Sequence, residues 1–129
     1  MKYEIHAEGE LLIARAWGEH DDVEEVRKYG ADLVSACIVG NCSKALLDER
    51  ELLHTLNEGD IYRLAEQYAL RAPRLVKAAI LYNPRESVNV NFWETCAVNR
   101  GLSVRVFIEK EHALAWLNGN DNDALEDCA

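Results

Sequence analysis

Apolar and polar residues alternate from the first positions of the chain. Over residues 2–7, Tyr3, Ile5 and Ala7 share one face and Lys2, Glu4 and His6 the other, which is the period-two pattern of a strand with one wet side. Glu8-Gly9 reads as a turn. "LLIARAW", residues 11–17, reads as a second strand ended by Gly18, so the two should pair as an antiparallel hairpin. The period then changes. His20-Asp21-Asp22 opens a helix with carboxylates in the first turn, where the positive end of the helix dipole favours them. Val23, Val26, Gly30, Leu33, Val34 and Cys37 form its buried stripe, and Gly40-Asn41 stops it.

"KALLD", residues 44–48, is a short apolar run and the third predicted strand. It breaks into the charges Asp48-Glu49-Arg50, read as a solvated connection. Asp60 is the predicted N-cap of the next helix, with Ile61, Leu64, Ala65 and Tyr68 as its stripe and Pro73 closing the connection. "LVKAAILY", residues 75–82, is nearly all apolar, as expected of a central strand covered on both faces. Asn83-Pro84-Arg85-Glu86 is a loop, because the residue before a proline avoids helical geometry. A helix follows over residues 90–100, with Phe92, Trp93, Cys96 and Ala97 as its apolar members and Gly101 as its stop. "SVRVFI" alternates as a fifth strand, and residues 110–117 form a last helix with Ala113, Leu114, Trp116 and Leu117 facing in.

Helices between strands imply right-handed parallel crossovers. The predicted fold class is therefore α/β: a single mixed five-stranded sheet, with an antiparallel N-terminal hairpin, the remaining strands parallel, and about four helices. From Asn118 the sequence turns to "NGNDNDALEDCA", acidic and poor in large apolar groups. This predicts one folded domain over residues 1–118 and an acidic disordered tail over 119–129.

Composition narrows the function. The apolar share of 49% is ample for one core in 129 residues. Lys and Arg number 14 against 23 Asp and Glu, a net charge of −9, which argues against nucleic acid as a partner. No apolar run approaches the roughly 18 residues of a membrane span, and the start lacks the apolar block of a signal peptide. Cys37, Cys42, Cys96 and Cys128 contain no CxxC pair and read as cytosolic thiols, with a Cys37–Cys42 disulfide the less favoured alternative. The four histidines are scattered, so neither a metal nor another cofactor is expected.

The element order resembles the SpoIIAA-like, STAS-type fold. "KALLDER" is similar to the family's third strand and "GDIYRLAEQY" to the helix after it. "FWETCAVNRGLSVRVFIEKEHALAWL" is similar to the C-terminal segment of a bacterial branch related to CRAL-TRIO lipid-binding domains. The resemblance spans about residues 2–118 and implies a small cytoplasmic, non-enzymatic protein. Relatives suggest two roles: holding a small apolar or lipid-like ligand with peripheral membrane contact, or acting as an anti-sigma-factor antagonist. The antagonists bind a kinase and are switched by phosphorylation of a serine at the start of the helix after the third strand.

The candidate residues follow from these roles. Ligands in open α/β sheets collect beyond the carboxyl ends of the strands. That edge would carry Asp48 and Arg50, then Tyr82 and Arg85, with Tyr62, Phe92 and Trp93 on the helices leaving it. Aromatic walls with a few charged groups suit an apolar molecule with a polar head. Core packing is the competing account of each aromatic, although adjacent Phe92 and Trp93 cannot both point along one narrow stripe. For a protein partner the candidates are Asn57 and Glu58. The antagonists carry Asp-Ser-Ser-Gly at this helix start, whereas this chain has Leu56-Asn57-Glu58-Gly59. Glu58 holds about −1 of permanent charge against about −1.5 to −2 for a phosphate. Catalysis is not expected: Asp48, Glu49, Glu51, His54 and Glu58 supply acids and a base, but no nucleophile elbow, phosphate loop or metal pattern accompanies them. The exposed hairpin edge leaves surface for a second copy of the chain.

Overall fold

The structure is a computed structural model that describes residues 1–20, 22–54, 56–71 and 77–119. Strands β1 (Lys2–Glu8) and β2 (Leu11–His20) are followed by α1 (Val23–Gly40), β3 (Lys44–His54), α2 (Glu58–Arg71) and β4 (Lys77–Leu81). A 3-10 turn (Pro84–Glu86) leads into α3 (Ser87–Asn99), β5 (Ser103–Phe107) and α4 (Lys110–Leu117). The strands lie in the order β1-β2-β3-β4-β5, the first pair antiparallel and the others parallel. This is the mixed sheet that the alternation of strand and helix patterns implies. The proposed acidic tail lies outside the described residues apart from Gly119, and so do Pro73, Leu75, Val76 and Cys128.

Local chemistry sets the boundaries. Gly9, at φ 63°, supplies the left-handed conformation in the tight loop that pairs Glu8 with Leu11. The Asp22 side chain accepts the Glu24 N–H at 2.9 Å and caps α1. Asn41, at φ 51°, closes that helix. Asp60 does not cap α2. The Asn57 side chain accepts the Asp60 N–H at 2.9 Å, which makes Asn57 the cap and places Asp60 inside the first turn.

Two strands run further than their apolar patterns suggest. β2 continues through Gly18 (φ 97°) to His20. β3 continues through its charges to His54, because β2 pairs with it along nearly its whole length. Arg15 lies opposite Asp48, yet Trp17 lies opposite Glu51, so one residue of β2 faces two of β3. This bulge shifts the face alternation beyond it. Leu47 and Glu49 share one side of the sheet by plain alternation, and the bulge brings Leu52 to that side as well.

The two faces of the sheet carry separate cores. On one, α1 packs on β1 and β2, α3 packs on β5, and α2 packs against both helices. Leu12, Ala14, Leu47, Ile80 and Val106 are buried there. On the other, Leu46, Ala79, Leu81 and Phe107 pack against Ala113, Trp116 and Leu117 of α4. β4 buries residues on both sides, which is why its sequence is almost purely apolar. The outer edge of β5 is partly closed by Glu94 of α3, which accepts the Val106 N–H at 2.8 Å.

Candidate functional site

An apolar cavity of about 100 Å³ lies between the sheet and its three-helix face. Tyr29 and Leu33 of α1, Leu52 of β3, Leu64 of α2 and Trp93 of α3 are among its walls. A second chamber of about 120 Å³ adjoins it, sharing Gly30, Leu33, Leu47, Tyr68, Ile80 and Trp93. Tyr68 separates α1 from α2 at this point. Its ring lies against Gly30, where a Cβ would come within 2.2 Å of the phenol, and its hydroxyl donates to the Val26 carbonyl at 2.8 Å. A glycine on the buried stripe of α1 therefore makes room for an aromatic ring.

Glu49 opens into this apolar space. It is the only buried charged side chain among the described residues. The Tyr29 hydroxyl donates to its Oε2 at 3.0 Å. Burial pushes the carboxyl up to about 7; the Tyr29 hydrogen bond opposes that shift and the neighbouring Asp48 charge adds to it. Burial, then the Glu49 charge, raises Tyr29 well above the ordinary tyrosine range. Sequence reading placed Glu49 in a solvated connection. Its inward position follows from the continuation of β3 past Asp48, which keeps Glu49 on the face of Leu47 and is a property of the pairing with β2.

The residues predicted to form one pocket are dispersed. Asp48 and Arg50 pair with each other, Arg50 Nε to Oδ1 at 2.9 Å and Nη2 to Oδ2 at 2.7 Å. The Arg50 side-chain hydrogen bond is the chief cause holding the Asp48 carboxyl below its ordinary value. Asp48 borders a cleft on the opposite side of the sheet, with Glu4, His6, Arg15 and Lys110 at its rim and Leu46 and Leu81 among its apolar lining. Tyr82 is buried in the core beside Ile80 and Val90. Arg85 is exposed and reaches Glu86 at 4.0 Å. Tyr62 is exposed, with the Arg100 guanidinium 4.1 Å over its ring. Phe92 packs against the Leu56, Ile61 and Leu64 cluster. Of the proposed aromatic walls only Trp93 borders the cavity, where it meets the Tyr68 ring edge-on at 5.6 Å.

Asn57, Glu58 and Gly59 are exposed at the start of α2. They form a short acidic prow, with Arg63 paired to Asp60 at 3.2 Å one turn further on. Thr55, the nearest hydroxyl in the sequence, lies outside the described residues, as does the His54 side chain. Cys37, Cys42 and Cys96 are buried free thiols. Among the described residues no group of three or more His, Cys, Asp or Glu side chains could hold a metal ion, and no helix is long and apolar enough to cross a membrane.

No family model matches this sequence, and no curated protein matches it. Among solved structures, the anti-sigma factor antagonist SpoIIAA in its unphosphorylated form is similar, with a TM-score of 0.52 and 17% sequence identity. The match covers 92% of this chain and 97% of that one. The chain has the SpoIIAA-like, STAS-type fold: one five-stranded mixed sheet with four helices packed on it.

Proposed function

We propose that this chain is a non-enzymatic regulatory module that binds a protein partner through the start of α2. The observation that carries this reading is the exposure of Asn57, Glu58 and Gly59 at the helix start that follows β3. The family resemblance places the antagonists' phosphorylated serine in that region. The similarity in fold to an anti-sigma factor antagonist supports the same assignment. Here the position carries Glu58, so its charge is constant and binding is not gated by modification at that residue. Electrostatics would favour a partner with a basic surface, given the net charge of −9.

Affinity capture from the source cells, with the wild-type chain and Glu58→Lys side by side, tests this function. A partner retained by the wild type and lost by the charge reversal is the expected result. Intact mass of the chain recovered after incubation of the complex with ATP should be unchanged. Equal retention by both chains, or no retained protein, would contradict the assignment.

A further inference from the structure

The cavity beside Glu49 is remote in chemistry from the acidic start of α2 and stands independently of the regulatory reading. We propose that it is a binding site for a small apolar amine, whose ammonium pairs with the Glu49 carboxylate while its hydrocarbon part fills the two chambers. Space is the first argument. Protein interiors are packed to crystal-like density, yet chambers of about 100 and about 120 Å³ share a wall here. An apolar hole of about 150 Å³ suffices for benzene, more than either chamber offers alone, so the ligand has to span both.

The carboxylate is the second argument. One oxygen of Glu49 accepts the Tyr29 hydroxyl, and no described residue donates to the other. A buried carboxylate with one hydrogen bond is short of partners. Among the described residues no Lys or Arg borders either chamber. The titratable groups lining the two chambers among the described residues, besides Glu49, are Tyr29 and Cys37 from α1 and Tyr68 from α2, while Asp48, next along the strand, faces the opposite side of the sheet. Met1 lines the cavity as well, but its ammonium pairs with Glu25 at 3.5 Å. The site thus combines an apolar wall, a fixed acid and no described cation apart from the Met1 ammonium, which Glu25 already pairs. An ammonium supplies the missing charge and the missing donor together. An alcohol supplies only the donor, and an ionised carboxylate would be repelled.

The test compares benzylamine with ethylbenzene, which has a similar shape but no charge, by calorimetric titration of the full chain near pH 8. Hydrogen bonds to a charged group are worth about 1.5–3 kcal/mol, so benzylamine should bind about 10- to 100-fold more tightly than ethylbenzene. Glu49→Gln should remove most of that difference and leave ethylbenzene affinity within about twofold. Tyr29→Phe, which releases the second carboxylate oxygen, should retain benzylamine binding and serves as a second folded variant. Amine affinity should also fall as the pH drops through 7, because the ligand competes with a proton for Glu49. Absence of benzylamine binding, equal affinity for ethylbenzene, or indifference to both Glu49→Gln and pH would each overturn the proposal.

Discussion

Tyr29 donates its hydroxyl to Glu49 across 3.0 Å inside an otherwise apolar wall. The pair joins α1 to β3, and its cost depends on protonation. Glu49 titrates near 7 in the folded chain against 4.5 when unperturbed. Below about 4.5 the carboxyl is neutral in both states and burial carries no charge penalty. Between the two values the folded chain holds the proton that the unfolded chain has released, so this residue makes stability fall as the pH rises. Above about 7 the full penalty applies, on the order of 3 kcal/mol.

Glu49→Gln removes that dependence and keeps an acceptor for Tyr29. The variant should be more stable than the wild type at pH 8, by roughly 3 kcal/mol, and nearly equal to it at pH 4. Urea denaturation across this pH range checks it. A stability difference that does not grow with pH would show that Glu49 is not held neutral by burial.

Gly30→Ala should destabilise the fold although alanine is the better helix former. The gain in propensity is about 1 kcal/mol. Against it, the new Cβ would lie 2.2 Å from the Tyr68 ring, and overpacking of that kind costs about 1–3 kcal/mol. Pairing the change with Tyr68→Leu should recover part of the loss. Thermal denaturation of the two single variants and the double variant gives the coupling directly.

The start of α2 distinguishes its two candidate caps. Asn57→Ala should cost about 1 kcal/mol, because it leaves the Asp60 N–H without its side-chain acceptor. Asp60→Ala should cost less, roughly 0.3–1 kcal/mol, through the helix dipole and an exposed pair with Arg63. Denaturant midpoints that place Asp60 above Asn57 would contradict the capping geometry.

Glu94 protects a strand edge at a distance of 12 residues in sequence. Glu94→Ala takes the acceptor from the Val106 N–H and should cost about 1–2 kcal/mol. It also uncovers an edge that another chain could pair with. Light scattering should show association that rises with concentration in the variant and not in the wild type.

Much of the architecture was legible in the chain. Alternation at Tyr3, Ile5 and Ala7, with Gly9 after it, identified the hairpin, and the apolar run Ala78-Ala79-Ile80-Leu81 identified the strand covered on both sides. The spacing of Ala113, Trp116 and Leu117 located α4. The misses share a physical cause, since each depends on partners distant in sequence. β3 extends through Asp48, Glu49 and Arg50 because β2 offers it a pairing edge. Glu49 turns inward because the strand continues past Asp48 and keeps it on the face of Leu47, and the bulge opposite Ala16 brings Leu52 to the same face. Asn57 and Asp60 are both good caps by residue type, and Asn57 takes the role beside Leu56, which is fixed in the core. Tyr82 and Phe92 looked like pocket walls and pack as core. For Trp93, crowding on one helical stripe was the useful signal, and it does border the cavity.

The proposed regulatory function is tested most directly by hydrogen exchange on the complex with a captured partner. Partner binding should slow exchange at residues 57–63, at the start of α2, and Glu58→Lys should abolish that protection. Unchanged exchange at these residues, with protection concentrated on the β1 edge or on α4 instead, would contradict a partner-binding role for this helix start.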